Sequence, residues 1–381
     1  MANRVVVAMS GGVDSSVAAA LLVAEGYEVI GVTLNVWPRL TPSEQLTRDD
    51  ACCSLSAAED ARRVADRLGV PHYVLNFRDI FAAKVIDDFV AEYRRGRTPN
   101  PCLRCNEHIK FDALLRRALA LGADYVATGH YAIVEHAGPG GRHLLRRGVD
   151  ANKDQSYALY VLKQEQLART ILPLGRLHKS ETRRIAAELG LPVANKPESQ
   201  EICFVPDNDY GAFLAGYTGL RPEPGAIVDR RGNVLGQHRG IVYYTIGQRR
   251  GLALAAGKPL YVVAIDARRN EVVVGEESEL YVDELLADEA NLIAAPALAG
   301  PTRATARVRY RGVEAEAEVT QPTADRLQVR FLRPQRTVAP GQAVVLYQGD
   351  LVLGGGTILS AEERGATAEE AGRRSGCALQ E

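Results

Sequence analysis

A short apolar run, Val5-Val6-Val7-Ala8-Met9, breaks into Ser10-Gly11-Gly12-Val13-Asp14-Ser15-Ser16 and resumes as Val17-Ala18-Ala19-Ala20-Leu21-Leu22. No other stretch limits the fold as much, because this order reads as strand, tight turn and helix. The glycines let the backbone approach a ligand closely, and the hydroxyls of Ser10, Ser15 and Ser16 add donors. The new helix offers unpaired N–H groups and the positive end of its dipole. A phosphate fits such a turn. No lysine follows the glycines, so the loop differs from the GxxxxGK[ST] loop that grips the terminal phosphates of a triphosphate.

Downstream, strand-like and helix-like stretches alternate. Residues 28–34 read as a buried strand, 37–50 as a polar loop, 56–68 as a helix, and 72–77 as a strand. Residues 80–95 read as a long amphipathic helix, and 124–130 as a strand ending in a glycine turn. Such alternation implies a parallel sheet whose ligands lie beyond the carboxyl ends of its strands, where Ser10, Leu34 and Gly129 stand. Residues 132–148 suggest a hairpin with basic flanks, and 153–162 a helix. A further helix over 180–189 has Ser180 as its cap and Gly190 as its stop. Past about Asp209, glycines and prolines rise and helices become scarce; from about residue 281, short strands alternate with turns.

The expected class is therefore α/β. An N-terminal parallel-sheet nucleotide-binding domain spans 1–208, a small central domain 209–280 and a C-terminal all-β, barrel-like domain 281–360, before a frayed tail over 361–381. Forty-six basic residues against forty-seven acidic ones leave a formal charge of −1. Any nucleic-acid partner must then be held by local basic patches rather than by the field of the whole molecule. No continuous apolar run has membrane-spanning length and no basic-then-apolar leader opens the chain, so a cytoplasmic setting without a membrane partner is the default.

The six cysteines, at 52, 53, 102, 105, 203 and 377, are few for 381 residues and read as reactive or metal-binding rather than as a disulfide framework. Cys102 and Cys105 have CxxC spacing after two prolines, near a helix start, with Arg95, Arg97 and Arg104 in the vicinity to favour thiolates. A zinc knuckle needs four ligands, and no second CxxC supplies them. Cys203 reads as a reactive thiol or as a small buried hydrophobe. Cys52 and Cys53 have a structural role or none, and Cys377 lies in the tail.

The Ser10–Ser15 loop resembles the pyrophosphate loop (PP-loop) of enzymes that split ATP between its α and β phosphates and leave AMP on an oxygen. Combined with nucleophilic thiols, that chemistry suggests replacement of the activated oxygen by sulfur. The loop is followed in order by Gly96-Arg97-Thr98-Pro99-Asn100-Pro101, Cys105-Asn106 with Ile109-Lys110-Phe111, Ala127-Thr128-Gly129-His130-Tyr131 and Lys153-Asp154-Gln155-Ser156-Tyr157. Then come Ser199-Gln200-Glu201-Ile202-Cys203-Phe204, Tyr244-Thr245-Ile246-Gly247-Gln248-Arg249 and Pro340-Gly341-Gln342. In this series the chain resembles the tRNA-specific 2-thiouridylases, over nearly its whole length apart from the tail.

The resemblance implies an ATP-dependent tRNA-uridine 2-sulfurtransferase that acts on the wobble uridine, with Mg2+ accompanying ATP. It places ATP contacts on Ala8, Met9, Ser10, Gly11, Gly12, Val13, Asp14, Ser15, Leu34 and Gly129. Asp14 joins the catalytic set, with Cys105 as nucleophile and Cys203 as persulfide carrier; the two close a disulfide when sulfur is released. It implies tRNA contacts at Asn100, Pro101 and Cys102 for the target base, and at His130, Lys153, Asp154, Gln155, Arg309, Tyr310 and Gln342 elsewhere. Its partners are the anticodon stem-loop of tRNA and a sulfur donor such as a cysteine desulfurase or relay protein. Taken singly, His130 also reads as a core histidine, Asp154 as a helix cap and Arg309 as part of a solvated strand face.

The chain departs from the family at Cys102, where the best-known bacterial members carry aspartate. Cys102, Cys105 and Cys203 together match the three-thiolate set of a [4Fe–4S] cluster with one open iron, so Cys102 joins the catalytic set, and a cluster and a persulfide relay both stand as routes for sulfur. Arg94, Arg95, Arg97 and Lys110 near the site, and Arg303, Arg307, Arg309 and Arg311 on the barrel, are the expected phosphate grips.

Overall fold

The computed structural model describes residues 3–37, 55–136, 141–197, 202–205, 209–219, 221–254 and 257–362. Cys52, Cys53, Cys377, the 198–201 part of the motif around Cys203, the loop residues 38–50 and tail residues 363–381 lie outside them. The chain divides into two compact units, one of residues 1–87, 101–208 and 350–352, the other of 88–100, 209–349 and 353–381.

The first unit is built on β1 (Arg4–Ala8), α1 (Val13–Ala24), β2 (Glu28–Asn35), α2 (Leu55–Leu68), β3 (His72–Asn76), β4 (Tyr125–Ala127), β5 (Ala132–Glu135), β6 (Leu144–Arg147), β7 (Thr170–Ile171) and α3 (Lys179–Glu188). Five of these strands form a parallel sheet in the order β3-β2-β1-β4-β7. Val5, Val6 and Val7 are fully buried, so both faces of β1 are covered. That explains a valine run without alternation. Val17, Ala18, Ala19 and Leu22 of α1 pack with Ala61, Val64 and Ala65 of α2 and Ala186 of α3 in one core cluster. Here β5 and β6 form the expected hairpin, and Arg146 in it is ion-paired to Glu135 and Asp350.

Three expectations in this unit change. The helix expected over 153–162 is a single turn, Ser156–Leu159. The stretch expected as one amphipathic helix over 80–95 is α-helical at Arg78–Phe81, widens to a π turn at Ala82–Ile86 and returns to α at Asp87–Arg94. Finally, α3 begins one residue earlier than expected: Glu181 reaches back to accept from the N–H of His178 at 2.7 Å, so His178 rather than Ser180 is the cap. This makes Lys179 the first helical residue.

In the second unit, a helix, α4 (Tyr210–Thr218), precedes a four-stranded sheet of β8 (Gly225–Asp229), β9 (Val234–His238), β10 (Tyr261–Asp266) and β11 (Glu271–Gly275). Its core is Ile227, Tyr244, Leu252, Val262, Val272 and Val274. Six further strands, β12 (Tyr281–Leu292), β13 (Thr302–Arg307), β14 (Ala315–Thr323), β15 (Arg326–Arg336), β16 (Ala343–Gln348) and β17 (Leu351–Glu362), run in the order β12-β15-β14-β13-β16-β17. Pairing of β12 with β17 closes them into an antiparallel barrel, with register shifts in β12 at the turning points. Ala317 and Val319 on β14, and Leu327, Val329 and Phe331 on β15, point inward at alternate positions. No helix among the described residues is long and apolar enough to cross a membrane.

Candidate active site

The end of β1 is held before the turn begins. Met9 donates its N–H to Val32 O at 2.8 Å, and Thr33 Oγ1 donates to Met9 O at 2.8 Å. Gly11 has φ +67°, and a Cβ there would stand 2.1 Å from Ala57 O, so both conformation and space require glycine. Ser15 Oγ accepts from Ser10 N at 3.1 Å and donates to Gly12 O at 3.2 Å, while Ser16 Oγ donates to Gly12 O at 2.8 Å. Gly12 caps α1 without a side-chain bond. The serines therefore shape the loop, and the first N–H groups of α1 are left to a ligand.

A cavity of about 210 Å3 opens over this loop. Of the positions assigned to ATP by resemblance, Ala8, Met9, Ser10, Asp14, Ser15, Leu34 and Gly129 line it, while Gly11, Gly12 and Val13 build the turn. Five other residues line it as well: Val32 and Thr128, Lys110, which was expected as a phosphate grip, and His130 and Gln155, which the resemblance assigned to tRNA. A Cβ on Gly129 would stand 2.7 Å from both Asp14 C and Ser15 N. Backbone cannot yield as a side chain does, so Gly129→Ala must push the first turn of α1. We expect that variant to weaken ATP affinity by about tenfold or more, read by titration calorimetry, with the fold retained.

Asp14 carries the main electrostatic feature of the cavity. Lys179 Nζ donates to both of its carboxylate oxygens, at 2.6 and 2.8 Å, and Tyr131 OH donates to Oδ1 at 2.8 Å. Tyr131 is fixed in turn by Thr182 Oγ1 at 3.0 Å, and Lys179 N donates to Asp150 Oδ2 at 2.9 Å. Lys179 is buried although it is a lysine, and its partner justifies that burial. Sequence reasoning missed Lys179. It was placed just outside a helix, and no local pattern ties it to a residue 165 positions away.

His130 is buried, 2.7 Å from Thr128 Oγ1 through Nδ1, and packs against Phe111. Burial, helped by the charge of Lys110, holds its pKa well below the ordinary imidazole value. It is neutral at physiological pH. Burial lowers His72 and His136 in the same direction. The unfolded chain then binds more protons than the folded one below about pH 6.5, so stability is complete above that pH and falls beneath it. Unfolding free energies measured at about pH 7.5 and pH 5.5 should differ less in His130→Gln than in the parent, by up to about 1.4 kcal/mol per pH unit.

Cys102 lies in the helical turn Pro101–Arg104, and Cys105 opens the π-helical stretch Cys105–Ala113. This is the helix start that the two prolines predicted. Cys102 is exposed, while Cys105 and Cys203 are half-buried. Asn106 Nδ2 anchors the stretch to Ala158 O at 2.8 Å, and Lys110 Nζ donates to Asn106 Oδ1 at 3.0 Å. Beside Cys203, Phe204 packs edge-on against Phe81. No group of three or more Cys, His, Asp or Glu among the described residues is placed to hold a metal ion. Cys102, Cys105 and Cys203 are all described, and no cluster site is seen among them. Cys102 and Cys105 stand on consecutive helical turns and Cys203 on a separate turn. The arginines expected to favour thiolates are ion-paired: Arg95 and Arg97 with Glu92, and Arg104 with Glu107.

The remaining positions assigned to tRNA are varied. Asp154 is buried and accepts from Gly148 N, Ser156 N and Ser156 Oγ, which fastens the loop to the start of the turn Ser156–Leu159. Lys153 is half-buried in the turn before it, and Gln155 exchanges hydrogen bonds with the backbone of Tyr131. Asn100 is half-buried and Pro101 buried. Arg309, Tyr310 and Arg311 are exposed in the turn between β13 and β14. By contrast, Arg303 pairs with Glu318 at 3.9 Å and Arg307 with Glu314 at 2.6 Å. The segment from Arg230 to Ile265 contains no Asp or Glu, a signal that sequence reading passed over. Glu279 and Glu276 neutralise its Arg230 and Lys258, whereas Arg249 and Arg250 are exposed with no ion pair among the described residues.

A cavity beyond the carboxyl ends of a parallel sheet, over a preformed phosphate loop, defines a class of nucleotide-using α/β enzyme with appended β modules. Family models match accordingly: a tRNA methyl transferase HUP domain at residues 3–207, a tRNA methyl transferase PRC-barrel domain at 211–276 and an aminomethyltransferase β-barrel domain at 282–358. The chain is 58% identical to tRNA-specific 2-thiouridylase MnmA of Moorella thermoacetica, over 93% of this chain and 99% of that protein. It is 53% identical to the protein of that name from Acetivibrio thermocellus, also over 93% and 99%, and 56% identical to that of Heliobacterium modesticaldum, over 94% and 93%. The chain belongs to the tRNA-specific 2-thiouridylase family, a family of sulfurtransferases.

Proposed function

We propose that this enzyme installs sulfur at position 2 of the wobble uridine of tRNA, in the cytoplasm, with ATP as activator. The observation that carries the reading is the cavity over the Ser10–Ser15 loop, lined by Asp14, Lys110 and Gly129. There the α1 N–H groups and Lys110 would receive the triphosphate. Oxygen donors from Asp14, Ser10 and Ser15 suit Mg2+ arriving with the nucleotide, which would screen the phosphate charges. Uridine O2 attacks the α-phosphorus, the bond to the β-phosphate oxygen breaks, and pyrophosphate leaves. The terminal sulfur of a persulfide on Cys203 then attacks C2 and expels AMP. Cys105 attacks the Cys203 sulfur, which releases 2-thiouridine and closes a Cys105–Cys203 disulfide that an external thiol must reduce. A persulfide-bearing relay protein would recharge Cys203.

An anticodon loop suits this site because its bases leave the stack more readily than those in a duplex. Arg309, Tyr310 and Arg311, with Arg249 and Arg250, would supply phosphate contacts and a stacking surface. Incubation with ATP, a persulfide donor and an anticodon stem-loop should yield 2-thiouridine, detected by nucleoside mass; pyrophosphate release without thiolation would count against the reading. Binding to tRNA should weaken steeply as salt rises from about 50 to 200 mM. The double variant Arg249→Glu/Arg250→Glu should lower both affinity and the slope of that dependence, and an unchanged slope would remove this turn from the interface.

A further inference from the structure

We infer that Gln342 is a positioning residue for the cysteine-bearing turn, acting on the protein's own backbone. Its side-chain Nε2 donates to Thr98 O at 2.8 Å and lies 3.5 Å from Pro99 O. The Gln342 backbone is itself fixed, with Gly341 N donating to Ile358 O at 2.9 Å and Ile358 N donating to Gln342 O at 2.7 Å. One residue away, Pro340 O accepts from Thr98 N at 2.9 Å. The peptide at Thr98 is thus gripped through its N–H by one barrel residue and through its carbonyl by another.

The rest of the segment is anchored within the same unit. Phe89 lies 6.2 Å from both Tyr210 and Phe213, Tyr93 lies 5.9 Å from Tyr210, and Arg97 pairs with Glu92. Residues 88–100 therefore belong with the β modules, and the next residues, Pro101 and Cys102, begin the helical turn that leads to Cys105. Two prolines flank Asn100, so little torsional freedom separates the gripped Thr98 carbonyl from Cys102. Losing the Gln342 donor removes the side-chain grip on the Thr98 and Pro99 carbonyls, and the start of the cysteine-bearing helix is set less firmly. A residue already committed to two backbone carbonyls acts on substrate through the loop it holds.

Gln342→Met keeps the volume and removes the donor, and Gln342→Glu sets a carboxylate against two carbonyl oxygens. In protein free of tRNA and ATP, we expect alkylation rates of Cys102 and Cys105, followed by peptide mass, to change by about fivefold or more in both variants. The thiolation kcat should fall by about tenfold while the tRNA Kd stays within about twofold. Alkylation rates and kcat that match the parent, with a tRNA Kd raised about tenfold, would make Gln342 a simple RNA contact and overturn the proposal. Unfolding of both variants, seen by circular dichroism, would overturn it as well, since Gln342 would then hold the barrel and not the turn. The alkylation readout needs no tRNA, so it stands or falls separately from the proposed activity.

Discussion

Lys179→Met is expected to lower tRNA-dependent pyrophosphate release by about a thousandfold, the order of effect seen when a preorganised charge is removed from a closed site. Lys179 holds both oxygens of Asp14, and Asp14 sits in the first turn of α1 at the lip of the phosphate loop. Without the ammonium, Asp14 projects an uncompensated negative charge toward the place a triphosphate must occupy. Asp14→Asn is expected to abolish release as well, since it removes the acceptor that aims Lys179 and Tyr131. The double variant should be little worse than either single one, because the two act as a unit. Stability should fall by less than the roughly 3–5 kcal/mol typical of breaking a fully buried pair, since the Asp14 side chain keeps 31% of its surface exposed. Pyrophosphate release and thermal melting measured together separate the two effects. Release within a few-fold of the parent in Lys179→Met would assign the pair to the fold alone.

Cys105→Ser and Cys203→Ser should each reduce thiolation by at least about a thousandfold, because a hydroxyl can neither carry a persulfide nor displace one. Binding of tRNA should survive in both. Cys203→Ser should still release pyrophosphate in a tRNA-dependent manner, since adenylation precedes the sulfur step. Cys102→Asp is the control: the three thiols do not form a metal-holding group, so thiolation should remain within about threefold of the parent. Nucleoside mass for thiouridine and phosphate assay for pyrophosphate give the two readouts. Loss of thiolation in Cys102→Asp equal to that in Cys203→Ser would return Cys102 to the reacting set.

The valine run and the glycine loop were legible because their signals are local. A buried parallel strand must be apolar on both faces, and Gly11 at φ +67° tolerates no side chain. The helix α3 was read one residue late because Ser180 is the commoner cap, while the deciding bond runs from His178 N to Glu181. That shift carried Lys179 out of view. The arginines around the cysteines were read as free charges because the sequence does not record that Glu92 and Glu107 pair with them.

By itself the sequence determined that this chain makes a phosphate-binding strand, turn and helix in a parallel sheet, followed by β modules, and that Cys105 and Cys203 are the thiols to test. Periodicity, glycine conformation and motif order act over a few residues and survive in one dimension. Only the tertiary structure decided that Lys179 meets Asp14, that His130 and Gln155 line the cavity over the phosphate loop, and that Gln342 grips Thr98. Each of those depends on side chains far apart in the chain, and their meeting is set by how the layers pack, which no local pattern encodes.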